Sequence, residues 1–233
     1  QSEDSDRKEF RLPHLKNINV RYFAQDKRGQ VRAWNKLIDE SKSEYLLILG
    51  DDNTDLRKNL ISRLFSNLDY YNADMVAIHS NEVGVNNKRY DGQIMISDVF
   101  PAVLIKKSVI MKAGNYDMNF NTDIRADMDL MIRCHLNGAL MIYDYDSTLT
   151  HLRAPQGGLR EHNKRITTNF KMKRSILKII IPTISEFIIF LKYFPKGTTK
   201  LIIFQWIISS IIIKNSLIKS IIKTLYFLMV FPL

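Results

Sequence analysis

The stretch Glu44-Tyr45-Leu46-Leu47-Ile48-Leu49-Gly50-Asp51-Asp52-Asn53 decides how this chain is read. Tyr45 to Leu49 is apolar at every position, the pattern of a strand in a parallel sheet covered on both faces. The run stops at Gly50 and gives way to two adjacent carboxylates and an amide. Hard oxygen ligands of this kind suit a divalent cation, Mg2+ or Mn2+, shared with the oxygens of a diphosphate. Side chains on a regular strand alternate faces, so Asp51 and Asp52 meet one ion only if the backbone turns there. The expectation is Asp52 as metal ligand, with Asp51 orienting a ribose or bracing the turn. The same tripeptide also reads as a polar turn that caps the next helix.

Working outward, Asn19 to Phe23 reads as a short strand, and Gly29 opens a helix whose Val31, Trp34, Leu37 and Ile38 recur at helical spacing. On the other side, Asp55 is placed to cap a helix carrying Leu56, Leu60, Ile61, Leu64, Phe65 and Leu68 on one side. Met75–His79 is the next strand, and 86–98 reads as a polar loop or hairpin. Val99–Ile105 resumes as a strand, Lys107–Ala113 as a short helix and Gly114–Asp117 as a turn. Asp127–Leu136 reads as a helix ended by Asn137-Gly138, followed by one or two strands over 139–150. This alternation predicts an α/β fold, a Rossmann-like, mostly parallel sheet flanked by helices, whose ligands bind beyond the carboxyl ends of the strands.

Two further constellations carry chemistry. In Arg125-Ala126-Asp127-Met128-Asp129-Leu130-Met131-Ile132-Arg133, Asp127 falls at a helix start, where amide hydrogens and the macrodipole favour an ionised carboxylate. Such a carboxylate is suited to take a proton from a hydroxyl, or it is a simple cap. Asp129 and Arg133 stand at i and i+4 and read as an ordinary ion pair. In Thr150-His151-Leu152-Arg153-Ala154-Pro155-Gln156-Gly157-Gly158, the imidazole of His151 and the fork of Arg153 suit a metal and a diphosphate. A lone His after a strand is also commonly just a satisfied polar group.

The net charge of +10 hides a division within the 233 residues. From residue 151 onward there are 14 Lys and Arg against 2 Asp and Glu, which leaves 20 basic against 22 acidic residues in 1–150. The excess charge is therefore all in the tail, where lysines alternate with aliphatics rather than forming a polar, aromatic-bearing face. That pattern argues against nucleic acid as a partner. The single Cys134 forms no intramolecular disulfide and no Cys/His spacing suggests zinc, which fits a reducing setting. The chain opens on Gln1-Ser2-Glu3-Asp4-Ser5-Asp6 with no basic n-region of a signal peptide.

Taken in order, residues 1–160 resemble the family-2 glycosyltransferases of the GT-A fold. Gly29 with Ala33-Trp34-Asn35 resembles the family's Gly…Ala-Arg-Asn helix, and residues 44–53 its strand ending in the metal-binding Asp motif. Gly114-Asn115-Tyr116-Asp117 resembles the Gly-x-Phe-Asp turn, and Asp127 to Arg133 the Asp-Trp-Asp-Leu-x-x-Arg helix. The resemblance implies inverting transfer of a hexosyl-type sugar from a nucleotide-diphosphate donor to a glycan or lipid-linked acceptor, with Asp127 as base. It implies a Mg2+ or Mn2+ at Asp52 and His151, and donor contacts from Asp4, Gly29, Asn35, Asp51 and Arg153. The opening residues resemble the Ser-x-Asp loop after the family's second strand, so the first β-α-β elements are expected to be missing from this sequence. Trp34, Leu37, Gly50 and Ala126 depart from the family pattern. The other reading is an inactive, membrane-associated scaffold or partner subunit that keeps the fold.

The catalytic domain is expected over 1–165 and an Ile/Lys-rich helical tail over 166–233. Ser175–Phe194, Thr199–Lys214 and Ser216–Phe231 are its three segments, and the longest charge-free run, Leu201–Ile213, falls short of the ~20 apolar residues of a bilayer span. The tail is therefore expected to lie on an anionic membrane surface, at the cytoplasmic face of the cell membrane. A helical hairpin packed on protein is its alternative.

Overall fold

The computed structural model describes residues 17–23, 29–50, 52–83, 102–121, 125–152, 184–212 and 216–230. The chain divides into two compact units, Gln1–Leu159 and Arg160–Leu233. In the first unit, β1 (Tyr45–Leu49), β2 (Asn53–Thr54), β3 (Met75–Glu82), β4 (Ala102–Lys106) and β5 (Met141–His151) form a sheet of order β1-β4-β3-β5-β2. β3 and β5 are parallel, whereas β4 is antiparallel to both β1 and β3, and β2 is antiparallel to β5. β1, β3 and β5 therefore run the same way, so their carboxyl ends share one edge of the sheet.

Three helices lead into strands of that common direction: α1 (Gln30–Glu40) into β1, α2 (Leu60–Tyr71) into β3, and, after α3 (Lys107–Ala113), α4 (Ala126–Leu136) into β5. The connections are short, residues 41–44, 72–74 and 137–140. Connections that short turn each helix back along the strand it precedes. The N-termini of α1, α2 and α4 accordingly point toward the edge where β1, β3 and β5 end. Helix α2 packs Leu60, Leu64 and Leu68, four apart, on Val76, Ile78, Leu104, Ile142 and Leu149. Met75, Ala77, Val103 and Ile105 alternate with these and are buried too, so β3 and β4 are covered on both faces.

The α/β class is as expected, and the details differ where composition does not report neighbours. β1 is not a parallel-paired strand covered on both faces: its described partner is the antiparallel β4, and its residues are half-buried to exposed. An apolar run reports burial and is silent on the direction of the adjacent strand. Residues 17–23 carry no strand. Asp55 does not cap α2, because it sits in the left-handed region at φ 60°, Leu56 is exposed, and the helix starts after Asn59. The loop or hairpin expected at 86–98 lies outside the described residues.

The stretch 139–150 proves to be a single strand with a bulge. Ile78 pairs with Asp144 but His79 pairs with Thr148, which leaves residues 145–147 as extra chain in β5. The buried Asp144 carboxylate fills the bulge, accepting from the backbone N–H groups of Asp146 (3.0 Å) and Ser147 (3.2 Å) and from the Ser147 hydroxyl. From α2, Arg63 donates to both its oxygens at 2.9 and 3.2 Å, and Asn67 donates at 2.7 Å. Burial alone raises the Asp144 pKa, but the bonds from Arg63, Ser147 and the bulge amides outweigh it and hold the carboxyl below its ordinary 3.8.

The second unit contains α5 (Ile184–Tyr193), α6 (Lys196–Ile211) and α7 (Leu217–Val230). Pro195 is the N-cap of α6, so the helix starts at Lys196, ahead of the Thr199 expected to open that segment. Among the described residues, no helix is long and apolar enough to cross a membrane.

Asp144→Asn is expected to destabilise the first unit by about 2–3 kcal/mol at neutral pH, because a charged acceptor of several hydrogen bonds is lost while half-exposed Arg63 regains water. A carboxyl with a depressed folded pKa stabilises above its unfolded pKa and loses that contribution as pH falls through the folded one. Urea unfolding at a series of pH values should therefore show the gap between wild type and variant narrowing once pH drops below about 4.

Candidate active site

The site begins where β1 ends. Asn53 N–H donates to the Gly50 carbonyl at 3.3 Å, closing the turn, and Leu152 N–H donates to the Asp52 carbonyl at 2.9 Å. Asn53 and Thr54 then pair with His151 and Thr150, which fastens the turn to the last residues of β5. This brings His151 Nε2 to 3.0 Å from Asp52 Oδ2, both side chains being about one-fifth exposed at 22% and 18%. His151 Nδ1 is buried without a hydrogen-bond partner. The two residues named from distant parts of the sequence as metal ligands thus face each other.

Gly50 explains part of that geometry. A Cβ there would lie 3.0 Å from Asp52 Oδ1 and 3.0 Å from Asn53 Nδ2, so the glycine leaves these side chains their room. The departure from the Asp-x-Asp pattern at this position therefore has a steric counterpart.

Asp127 lies in the first turn of α4, half-buried, behind Arg125 in the left-handed region at φ 79°. Its Oδ1 accepts from Met128 N–H at 3.0 Å, in the end-of-helix environment that favours a carboxylate. Burial raises the phenol pKa of Tyr116, and the negative charge of Asp127 raises it further, so a neutral hydroxyl is kept in the field of this carboxylate. Among the described residues no group of three or more His, Cys, Asp or Glu is arranged to hold a metal.

The neighbouring residues have structural employment. Asp129 is fully buried and takes Arg133 Nε at 2.8 Å and Nη2 at 2.7 Å, while Arg133 also donates to the Ala113 carbonyl at the end of α3. The i,i+4 pair read from sequence is therefore an internal tie between α4 and α3. Asn35 accepts from Tyr116 N–H at 3.0 Å and donates to the Tyr116 carbonyl at 2.9 Å, clamping the 114–117 turn to α1. Tyr116 also stacks at 4.8 Å on Trp34. Gly29, at φ 142°, leaves space for Asn121, whose Oδ1 accepts from Arg32 N–H at 2.9 Å and so caps α1 from outside; a Cβ at Gly29 would collide with that side chain. Sequence reasoning missed Asn121, since a cap supplied from a remote segment has no local signature. Asp4, Asp51 and Arg153 lie outside the described residues.

With the fold and these positions in view, comparison with known proteins decides the family. The model of "Glycosyl transferase family 2" matches residues 5–139. The chain belongs to that family. Among solved structures, it is similar to S. aureus TarS 1–349 in complex with UDP-GlcNAc, at TM-score 0.51 and 8% identity over 81% of this chain and 55% of that one. It is also similar to the mannosyltransferase PcManGT from Pyrobaculum calidifontis in complex with GDP-Man and Mn2+, at TM-score 0.49 and 11% identity over 91% and 58% of the two chains. The chain spans about half the length of the solved structures it matches. No curated protein matches its sequence. The fold is thus the mixed α/β arrangement of GT-A glycosyltransferases.

The Asn35 geometry makes a prediction within the family fold. Asn35→Ala removes both bonds to Tyr116 and should cost about 1–3 kcal/mol in urea unfolding. A residue whose main employment is donor contact would instead leave the unfolding midpoint unchanged and weaken nucleotide binding.

Proposed function

We propose that this chain carries the metal and base sites of an inverting glycosyltransferase, which moves a sugar from a nucleotide-diphosphate donor to a hydroxyl of a glycan or lipid-linked acceptor. The observation that carries the reading is the meeting of Asp52 and His151 at the carboxyl edge of the sheet. That edge is where open α/β sheets bind ligands, and the first turn of α4, with Asp127, is directed toward it.

The pair fits a divalent cation such as Mg2+ or Mn2+. Asp52 Oδ2 and His151 Nε2 face each other at 3.0 Å and would hold the ion between them. One oxygen and one imidazole nitrogen suit a borderline ion such as Mn2+, and Asp51 is the neighbouring carboxylate available in sequence. When bound, the ion offsets the negative charge that develops on the departing diphosphate.

The protein's own part is binding, orientation and proton transfer. Asp127 takes the proton of the acceptor hydroxyl as the oxygen forms its bond to the anomeric carbon. The bond from that carbon to the diphosphate breaks on the opposite side, the nucleotide leaves with the electron pair, and the configuration inverts. Asp129 and Arg133 tie α4 to the end of α3 without themselves needing to touch substrate.

Two measurements test the reading. Titration of the chain with Mn2+ alone, followed by electron paramagnetic resonance, should show Asp52→Ala and His151→Ala each weakening binding at least about tenfold. Equal Mn2+ affinity in all three proteins removes the metal assignment. In a full-length protein, Asp127→Asn should lower kcat by about 10²–10⁴ with little change in donor affinity. Undiminished sugar transfer by that variant would dismiss Asp127 as base, and absence of transfer by the unmutated protein with any nucleotide sugar would favour a scaffold.

A further inference from the structure

Among its described residues, the second unit is packed inside out. Its most buried residues are Ser185, Glu186, Thr199 and Lys223, with Ile189 the one aliphatic side chain buried among those described. Leu217 and Ile218 of α7, by contrast, are 77% and 72% exposed. A water-soluble helical unit sorts its residues the other way, because removing apolar surface from water is what drives its packing.

Helix α7 shows the inversion along its whole described face. Ile218, Ile221, Ile222 and Leu225 form an exposed stripe at helical spacing, and Ser216, Ser220 and Thr224, four apart, form the half-buried one. The inward hydroxyls are satisfied by the helix itself: Ser220 Oγ donates to the Ser216 carbonyl at 3.0 Å, and Thr224 Oγ1 to the Ser220 carbonyl at 2.9 Å. Such back-bonding is how Ser and Thr are accommodated in apolar surroundings. Helix α6 continues the pattern, with Leu201 and Phe204 exposed while Thr199 is buried and donates to the Phe190 carbonyl of α5 at 3.0 Å.

Charge selects the occupant of this surface. Glu186 is the only acidic residue between 184 and 230, and it is buried. Lys192, Lys196, Lys200 and Lys219 are exposed, so the charge displayed beside the aliphatic face is positive. Two copies of such a face repel each other, and protein interfaces are depleted of Lys. Aliphatic side chains flanked by lysines instead match hydrocarbon flanked by lipid phosphates. Length selects the mode: 16 residues of α6 and 14 of α7 extend about 24 and 21 Å, short of the ~30 Å hydrocarbon core.

We propose that the second unit is a membrane-docking module, in which the outward aliphatic faces of α6 and α7 enter the headgroup–acyl boundary of an anionic leaflet and the exposed lysines engage its phosphates. The helices lie along the surface, with their buried polar residues behind the apolar face. This assignment is independent of the proposed sugar transfer, since it rests on the second unit alone.

The test is flotation of the full 233-residue chain with vesicles of phosphatidylcholine alone or mixed with phosphatidylglycerol. Wild type should float with the mixed vesicles, float far less with the neutral ones, and be weakened by high salt. Leu217→Ser, Ile218→Ser and Ile221→Ser combined should reduce partitioning at least about tenfold with unchanged circular dichroism, since all three side chains are exposed. A nitroxide on Ile221→Cys supplies a second readout, because native Cys134 is buried and does not compete for the label. On adding anionic vesicles that nitroxide should become more accessible to oxygen and less accessible to a polar nickel complex. Flotation of the triple variant equal to wild type, or an unmoved accessibility ratio, overturns the proposal. A wild-type chain that forms a stable dimer in buffer and fails to float also overturns it, in favour of a second copy as the occupant.

Discussion

The Asp144 carboxylate, buried at the point where β5 leaves the register of β3, is the constraint on which the rest of the first unit depends. An odd number of extra residues in one strand exchanges the faces of everything after them. Asp144 lies on the α2 face opposite Ile78, and so, after the bulge, do Leu149 and His151. Without residues 145–147 looped out, Leu149 would leave the core and His151 would turn to the opposite side of the sheet from Asn53. The bulge survives because the carboxylate satisfies two of its amides and is itself held from α2 by Arg63 and Asn67. A structural ion pair thereby decides where a candidate site residue points.

Much of the fold could be read from the sequence because its signals are local. Tyr45–Leu49 and Lys107–Ala113 appear as elements with the bounds their patterns indicate, and the helix ending at Leu136 starts one residue before Asp127. What escaped reading depends on partners. Asp144 looked like one polar residue in an alternating stretch, since its meaning comes from Arg63 and Asn67 on another element. Asp55 had the chemistry of a cap but not the backbone, and Asn19–Phe23 had the composition of a strand with no neighbour among the described residues to pair with. For α7 the sequence offered both an apolar face turned to a membrane and a hairpin packed on protein, because amphipathicity states that two faces differ and not which one turns inward.

For the site, residue type predicted proximity better than employment. Asp52 and His151 were selected by ligand chemistry, and the structure brings them within 3.0 Å. Asn35 and Gly29 were selected as donor contacts, yet their described interactions brace the 114–117 turn and admit the Asn121 cap. A motif in one chain does not separate residues that touch a ligand from those that shape the loop beside it. Asp129 illustrates the same ambiguity: two residues from Asp127 and chemically identical, it is buried completely and neutralised by Arg133.

Gly50 carries a consequence for the charge of the turn. Because it adds neither bulk nor charge, the turn closes around Asp52 and Asn53, with hydrogen bonds and the facing imidazole among its described ties. An aspartate in its place would set a second carboxylate against Asp52, and the turn would then need a cation to offset the repulsion while it forms. With glycine, that added repulsion is absent from the turn. Under the proposed metal reading, the ion is a guest of a finished turn, and its departure leaves the scaffold standing.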